Sequence, residues 1–250
     1  MTVTTDAASR ARYDALMDVI RERGTSRAFD PDIPVPDEHF GLILEAARHA
    51  PSGANAQPWH FIVVSDREIK SRIADYFVSE QRFRAKAGMK FPTPDYRGIA
   101  TAPGVIIVAA DFRWVRAFPG FHDTDTDLAR MYRENAERIL LQSVAAATMS
   151  AHLAAAALGH KVWWITASGQ EKAQTELKPL LDVPEELAVL DIMCFGQPLK
   201  PPYTRWKKDL GEITHRNRFD RSLFMTDEEI DEWIRTMRHK VMYKDAGNID

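Results

Sequence analysis

The part of this chain that most constrains its fold is one long helical stretch, 127–158, closed by Gly159. At 1.5 Å per residue such a helix runs roughly 45 Å, longer than a domain of this size needs. Its second half is rich in Ala, Ser and Thr, which lets another helix approach closely. Two uses fit that surface: a central core helix, or a helix buried at a subunit interface. The residues alone leave both open.

Everything else must be arranged around that rod. Four short apolar runs read as strands: HFIVVS (60–65), GVIIVAAD (104–111), KVWWITA (161–167) and AVLDIMCFG (188–196). Helical spacing lies between them. Tyr13, Leu16, Met17 and Ile20 form a stripe that stops at Gly24, and Phe40, Ile43, Leu44 and Ala47 form a second before Pro51. A third helix is expected over 66–78. Ser168 with Glu171, and Thr226 with Glu229, read as capping boxes for two more helices. The three prolines of PDIPVP (31–36) make an extended connection. Residues 83–102 keep no steady period and read as a lid or an irregular connection, with the lid-like segment near 79–100; residues 112–126 are loop-like. Strands interleaved with helices indicate an α+β or α/β layer around one sheet. With no repeat or interdomain linker, one domain over 1–250 is expected, with a C-terminal extension at 220–250.

Several functions are disfavoured. The 33 basic and 36 acidic residues give a net charge of −3, which lacks the basic field of a nucleic-acid binder, though a local patch can still hold one phosphate. The single cysteine, Cys194, sits in an apolar run and reads as a small buried residue. The N-terminus shows no secretory apolar core, and 139–158 is weakly hydrophobic for a membrane span, so no membrane association and a cytoplasmic location are expected. No G-x-G-x-x-G, P-loop, H-x-x-x-H or G-x-S-x-G pattern is present. No metal site and no catalytic side-chain triad is expected.

Three separated segments carry the chemistry. In R-E-R-G-T-S-R (21–27) a helix ends among Arg21, Arg23 and Arg27, whose guanidinium groups match phosphate oxygens, though a solvated helix end looks the same. In A-P-S-G-A-N-A-Q-P-W (50–59), Ser52, Asn55 and Gln57 can hydrogen-bond a planar heteroaromatic edge, or simply build a turn. R-W-K-K-D-L-G-E-I-T-H-R-N-R-F (205–219) alone reads as a charged loop.

Together, and in this order over nearly the whole chain, they resemble the nitroreductase family of flavoproteins. The matching pieces are R-G-T-S-R (23–27), A-P-S-G-A-N-A-Q-P-W (50–59) and R-W-K-K-D-L-G-E-I-T-H (205–215). The resemblance implies an α+β sandwich with a mostly antiparallel central sheet flanked by helices, in an intertwined homodimer with FMN at each of two interface sites. It implies that Arg23, Gly24, Thr25, Ser26 and Arg27 line the FMN phosphate and ribityl chain, with Lys207 or Arg205 joining. Pro51, Ser52, Gly53, Asn55 and Gln57 would come from the partner subunit, and Trp164, Ile165, Thr166 and Ala167 would pass flavin N5. NADH or NADPH would be the donor and a small planar molecule, a nitroaromatic or quinone, the acceptor, in ping-pong order. A reductive dehalogenase, an ene-reductase and a non-catalytic flavin binder share the same contacts.

Two departures stand out. Gly24 replaces the second arginine of the family's first motif. Thr166-Ala167 replaces the usual Glu-Gly or Gly-Gly and is similar to the iodotyrosine deiodinase branch, which implies a hydroxyl donor to N5 that favours one-electron steps. Of that branch's substrate lid the chain offers Glu80 and lysines, with Phe83 where a tyrosine is wanted. Trp163 and Trp164 fit either stacking on flavin or substrate, or core packing.

Overall fold

The computed structural model describes residues 5–89, 94–118, 126–202 and 206–242. In chain order the elements are α1 (Ala7–Glu22), α2 (Asp37–Arg48), β1 (Trp59–Val63), α3 (Arg67–Lys86), α4 (Gly98–Thr101), β2 (Gly104–Asp111), α5 (Asp127–Ala157), β3 (Lys161–Ile165), α6 (Glu171–Leu181), β4 (Leu187–Gly196) and α7 (Asp227–Met242). The strands form one antiparallel sheet in the order β1-β2-β4-β3. The fold is α+β, as expected.

The sheet is apolar on both faces because helices cover both. All eight residues of β2 are buried, which is why GVIIVAAD shows no polar alternation. Successive side chains serve opposite cores. Ile107, Ile165, Ile192 and Cys194 meet Ile73, Phe77, Ile99 and Leu177 on the α3/α4/α6 side. Ile106, Val162, Met193 and Phe195 meet Ile43, Ala47, Ala151 and Ala155 on the α2/α5 side. Alanines let α5 lie close on that second face. By length and composition α5 would also pass for a membrane span, but half of its most apolar window is buried within the fold.

Local chemistry decides several element ends differently from the sequence expectation. The helix expected over 66–78 continues to Lys86, so 79–86 of the supposed lid are its last turns, while 90–93 lie outside the described residues. Asp66 caps its start by accepting from the Ile69 N–H. Residues 112–117 coil as a 3-10 turn, and 119–125 lie outside the described residues. The Thr226–Glu229 capping box forms, with each side chain bonded to the other's backbone N–H. The Ser168–Glu171 box does not. Ser168 is fully buried, its hydroxyl donates to the Leu190 carbonyl at 2.7 Å, and Gln170 begins α6 without a side-chain cap.

Apolar surface remains outside the two cores. No residue of α1 is buried, and Tyr13, Leu16 and Ile20 are exposed. So are Leu128, Met131, Leu141 and Met149 of α5. The segment after Pro202 exposes Leu210, Ile213, Phe219, Phe224, Ile230 and Ile234.

Candidate functional site

The first motif becomes an extra rung on the sheet edge. α1 stops at Glu22, and the chain turns so that Gly24 accepts from the Val162 N–H at 3.1 Å and the Ser26 N–H donates to the Val162 carbonyl at 3.1 Å. Lys161 Nζ fastens the turn by donating to the Glu22 carbonyl at 2.7 Å. Because Val162 spends both backbone groups outward on this loop, strand alternation points those of Trp164 outward as well. Arg23 and Thr25 are half-buried here, and Arg27 is exposed. The Ser26 hydroxyl donates to the Ala28 carbonyl at 2.8 Å, a local turn that sets the loop's shape.

The chain leading to the third motif is drawn to the same place. The Asp30 N–H donates to Gln197, and the Leu199 N–H donates to Ala28, so residues 197–199 run antiparallel beside the first motif. Pro202 then crosses over Gly24. A Cβ at residue 24 would lie 2.5 Å from the Pro202 Cγ, which explains sterically why glycine stands where the family has arginine. Lys207 is exposed on the segment leaving Pro202; Arg205 lies outside the described residues.

The strand end supplies the next piece. Ile165 is buried in the α3/α6 core, so only its backbone can face a ligand. Trp163 is also core, stacked on Tyr96 at 5.7 Å. Trp164 points to the opposite face, half-buried and 5.2 Å from the His152 ring. Thr166 is exposed and Ala167 half-buried. Glu80, expected on the lid, is buried and hydrogen-bonded to Lys172, whose ammonium lies 5.1 Å from the Phe83 ring centroid.

The loop 51–57 lies elsewhere. It precedes β1, at the far edge of the sheet from β3, three strand spacings or about 14 Å away. It is strained: Ala54, Asn55 and Gln57 all have positive φ, of 53°, 51° and 46°. Such backbone costs about 1–3 kcal/mol per residue and collects at ligand sites. The Ser52 Oγ accepts from the Gln57 N–H at 3.1 Å, and the Gln57 side chain is turned onto Asn55. Gly53 is packed against α5. Its N–H donates to Ser143 Oγ on α5, and a Cβ there would lie 2.2 Å from Ile139 Cγ2. Within one chain, therefore, residues 23–27, 164–167 and the start of the C-terminal segment come together, and 51–57 does not join them.

Beneath Trp164 lies a buried polar cluster that sequence reasoning missed. Asp191 of β4 is 7% exposed and accepts from Thr148 Oγ1 of α5 at 3.1 Å. Burial pushes its carboxyl pKa up, opposed by the nearby Trp164 indole and the Thr148 hydroxyl. The indole N–H lies close enough to bias the carboxyl yet outside hydrogen-bonding geometry. One turn from Thr148, His152 is held neutral, its pKa lowered to about 3 by burial and then by Arg23. The available signal was an aspartate in an apolar strand and two polar residues four apart on an alanine-rich helix.

The donor set fits a phosphate ester joined to a flat ring system. Arginines and a threonine flank one end, and outward backbone groups and Thr166 the other. A sequence model described as the nitroreductase family matches residues 20–197. A protein of Archaeoglobus fulgidus, provisionally named NADH dehydrogenase/NAD(P)H nitroreductase, is 30% identical over 190 residues, covering 76% of this chain and 86% of its own. Iodotyrosine deiodinase of Danio rerio is 37% identical over 78 residues, 31% of this chain and 25% of that protein. The solved NADPH:FMN oxidoreductase of Vibrio harveyi, in complex with NAD+, has the same fold, with a TM-score of 0.60 at 20% identity over 90% of this chain and 85% of that one.

Proposed function

Because this chain belongs to the nitroreductase family, we propose that it is an FMN-dependent NAD(P)H oxidoreductase that reduces planar, electron-poor acceptors, nitroaromatics or quinones, at a site shared by two copies. The observation that carries this reading is the hydrogen-bonded seam between residues 24–26 and Val162, which sets a cationic loop beside the outward edge of Trp164–Ala167.

In this reading Arg23 and Arg27, with Lys207 or Arg205, hold the FMN phosphate through charge-assisted hydrogen bonds, and Thr25 holds the ribityl chain. The outward backbone of Trp164 and the residues through Ala167 would orient the ring edge, with the Thr166 hydroxyl as the donor toward N5. Bound FMN would supply the redox chemistry, electron transfer from NADH or NADPH to the acceptor. No side-chain acid or base is assigned. Donor and acceptor use the same opening in turn, which gives ping-pong kinetics.

The second copy is called for by geometry. The loop 51–57 is too far from β3 to reach the ring within its own chain, and the exposed apolar faces of α1, α5 and the C-terminal segment need cover. A partner supplying Pro51, Ser52 and Asn55 satisfies both. A cytoplasmic location, where NADH and NADPH are at hand, is compatible with this reading.

The test is a purified preparation carried through three measurements: the visible spectrum, release of FMN on denaturation, and NADH or NADPH oxidation with a nitroaromatic, a quinone and a halophenol. Yellow protein that turns over the first two acceptors supports the proposal. Turnover of the halophenol alone would instead make it a dehalogenase, and protein that stays colourless with added FMN would end the flavin reading.

A further inference from the structure

The seam formed by Thr148, Asp191, Trp164 and His152 lies inside the molecule, between α5 and the sheet, yet it ends beneath the strand edge assigned to the flavin. We propose that Asp191 is a positioning residue: with Thr148 and His152 it fixes the Trp164 side chain, and through it the backbone edge 164–167 on which the flavin ring rests. This inference rests on the FMN reading above.

Three observations support it. The seam is costly as pure structure, since a buried carboxyl with one side-chain hydrogen bond stabilises a fold less than an apolar residue of similar size. Its neighbours in β4, Val189, Ile192 and Met193, are fully or almost fully buried apolar residues, so apolar packing is available at that depth. Second, among the described residues His152 Nε2 and Trp164 Nε1 have no hydrogen-bond partner although both are buried, and such groups are rare enough to call for a reason beyond stability. Third, the cluster reaches both ends of the assigned site. Trp164 belongs to the ring-edge strand, and His152 feels the charge of Arg23, which is assigned to the phosphate. Side chains that lock a binding element from behind are the usual means of holding a ligand edge in place.

The mechanical path is short. Trp164 sits on the outer strand of the sheet, where one neighbour only, β4, restrains the backbone beyond Val162. Its indole packs against the His152 ring, with the Asp191 carboxyl near its N–H end. Loss of that packing lets the strand backbone shift, and the outward Trp164 N–H and Thr166 shift with it. Removing the carboxyl frees the indole without touching any group that contacts FMN.

The experiment is a flavin fluorescence titration of FMN into apo-protein for wild type, Asp191→Leu, Asp191→Asn and Thr148→Val. Leu177→Ala, a cavity in the core on the opposite face of the sheet, serves as the control for general destabilisation. Asp191→Leu is expected to weaken FMN binding about tenfold, the effect of one lost buried polar contact. Asp191→Asn, which keeps an oxygen for Thr148, should restore most of the affinity. Leu177→Ala should lower Tm while leaving the FMN Kd unchanged. Wild-type affinity in folded Asp191→Leu, or equal weakening in Leu177→Ala, overturns the proposal. If Asp191→Leu does not fold, Thr148→Val decides: weaker FMN binding supports the seam, and unchanged binding rejects it. Failure of the wild type itself to take up FMN would strike the functional reading instead.

Discussion

At the scale of single residues, burial sets the chemistry. His152 has its pKa lowered from 6.5 to about 3, chiefly because its charged form cannot be solvated. The unfolded chain gains a proton below the ordinary value and the folded chain does not, so stability present above 6.5 is lost as pH falls toward 3. The loss reaches about 1.4 kcal/mol per pH unit within that window. His152→Phe keeps a ring against Trp164 and cannot titrate, so its urea-denaturation midpoint is expected to fall less steeply with acid than that of the wild type. Parallel curves would show that His152 is protonated in the folded protein. Gly24 is the second residue whose surroundings decide its identity. With Pro202 Cγ 2.5 Å from where a Cβ would be, Gly24→Ala is expected to displace the C-terminal segment at a cost of about 1–3 kcal/mol. A Tm drop accompanied by weaker FMN binding is the predicted pair of readings; unchanged values would mean that Pro202 yields freely.

At the scale of elements, helices and loops are placed by close approach rather than by propensity. The loop 51–57 keeps three positive-φ residues because it is pinned to α5 through Gly53, whose N–H reaches Ser143. Gly53→Ala would drive a Cβ into Ile139 and unseat that loop, so the expectation is a folded protein with FMN affinity reduced more than thermal stability. Equal, small losses in both would show that the loop relaxes. The capping boxes teach the complementary lesson. Thr226–Glu229 forms at an exposed helix start, whereas Ser168 is fully buried and its hydroxyl donates instead to the Leu190 carbonyl. A buried hydroxyl left unsatisfied costs more than an uncapped exposed helix end. The same competition is invisible in the residue string, where both boxes look alike.

At the scale of the whole molecule, the proposed shared site makes two predictions. Removing residues 203–250 deletes much of the exposed apolar segment and is expected to yield a monomer with little FMN affinity, read by sedimentation and fluorescence. A dimer that survives truncation would place the interface on α1 and α5 alone. Arg27→Ala and Asn55→Ala, each crippling alone, are expected to complement when unfolded together and refolded. Random pairing leaves about a quarter of the sites free of both substitutions. No recovered activity would put residues 27 and 55 in the same chain's site.

The sequence by itself determined the α+β alternation, the four strands, the long helix and the three motifs, because each is written in local periodicity or in a contiguous residue pattern. The tertiary structure alone decided which motifs meet. Residues 23–27 join 197–202 at the edge of β3 because main-chain hydrogen bonds link them, and the sheet order keeps 51–57 at the opposite edge. It also decided that Trp163 is core while Trp164 faces α5, and that Thr148, His152 and Asp191 form one cluster. A polar residue in an apolar run looks the same on paper whether it is solitary or paired. Only the packing of α5 on the sheet brings its partner within hydrogen-bonding distance.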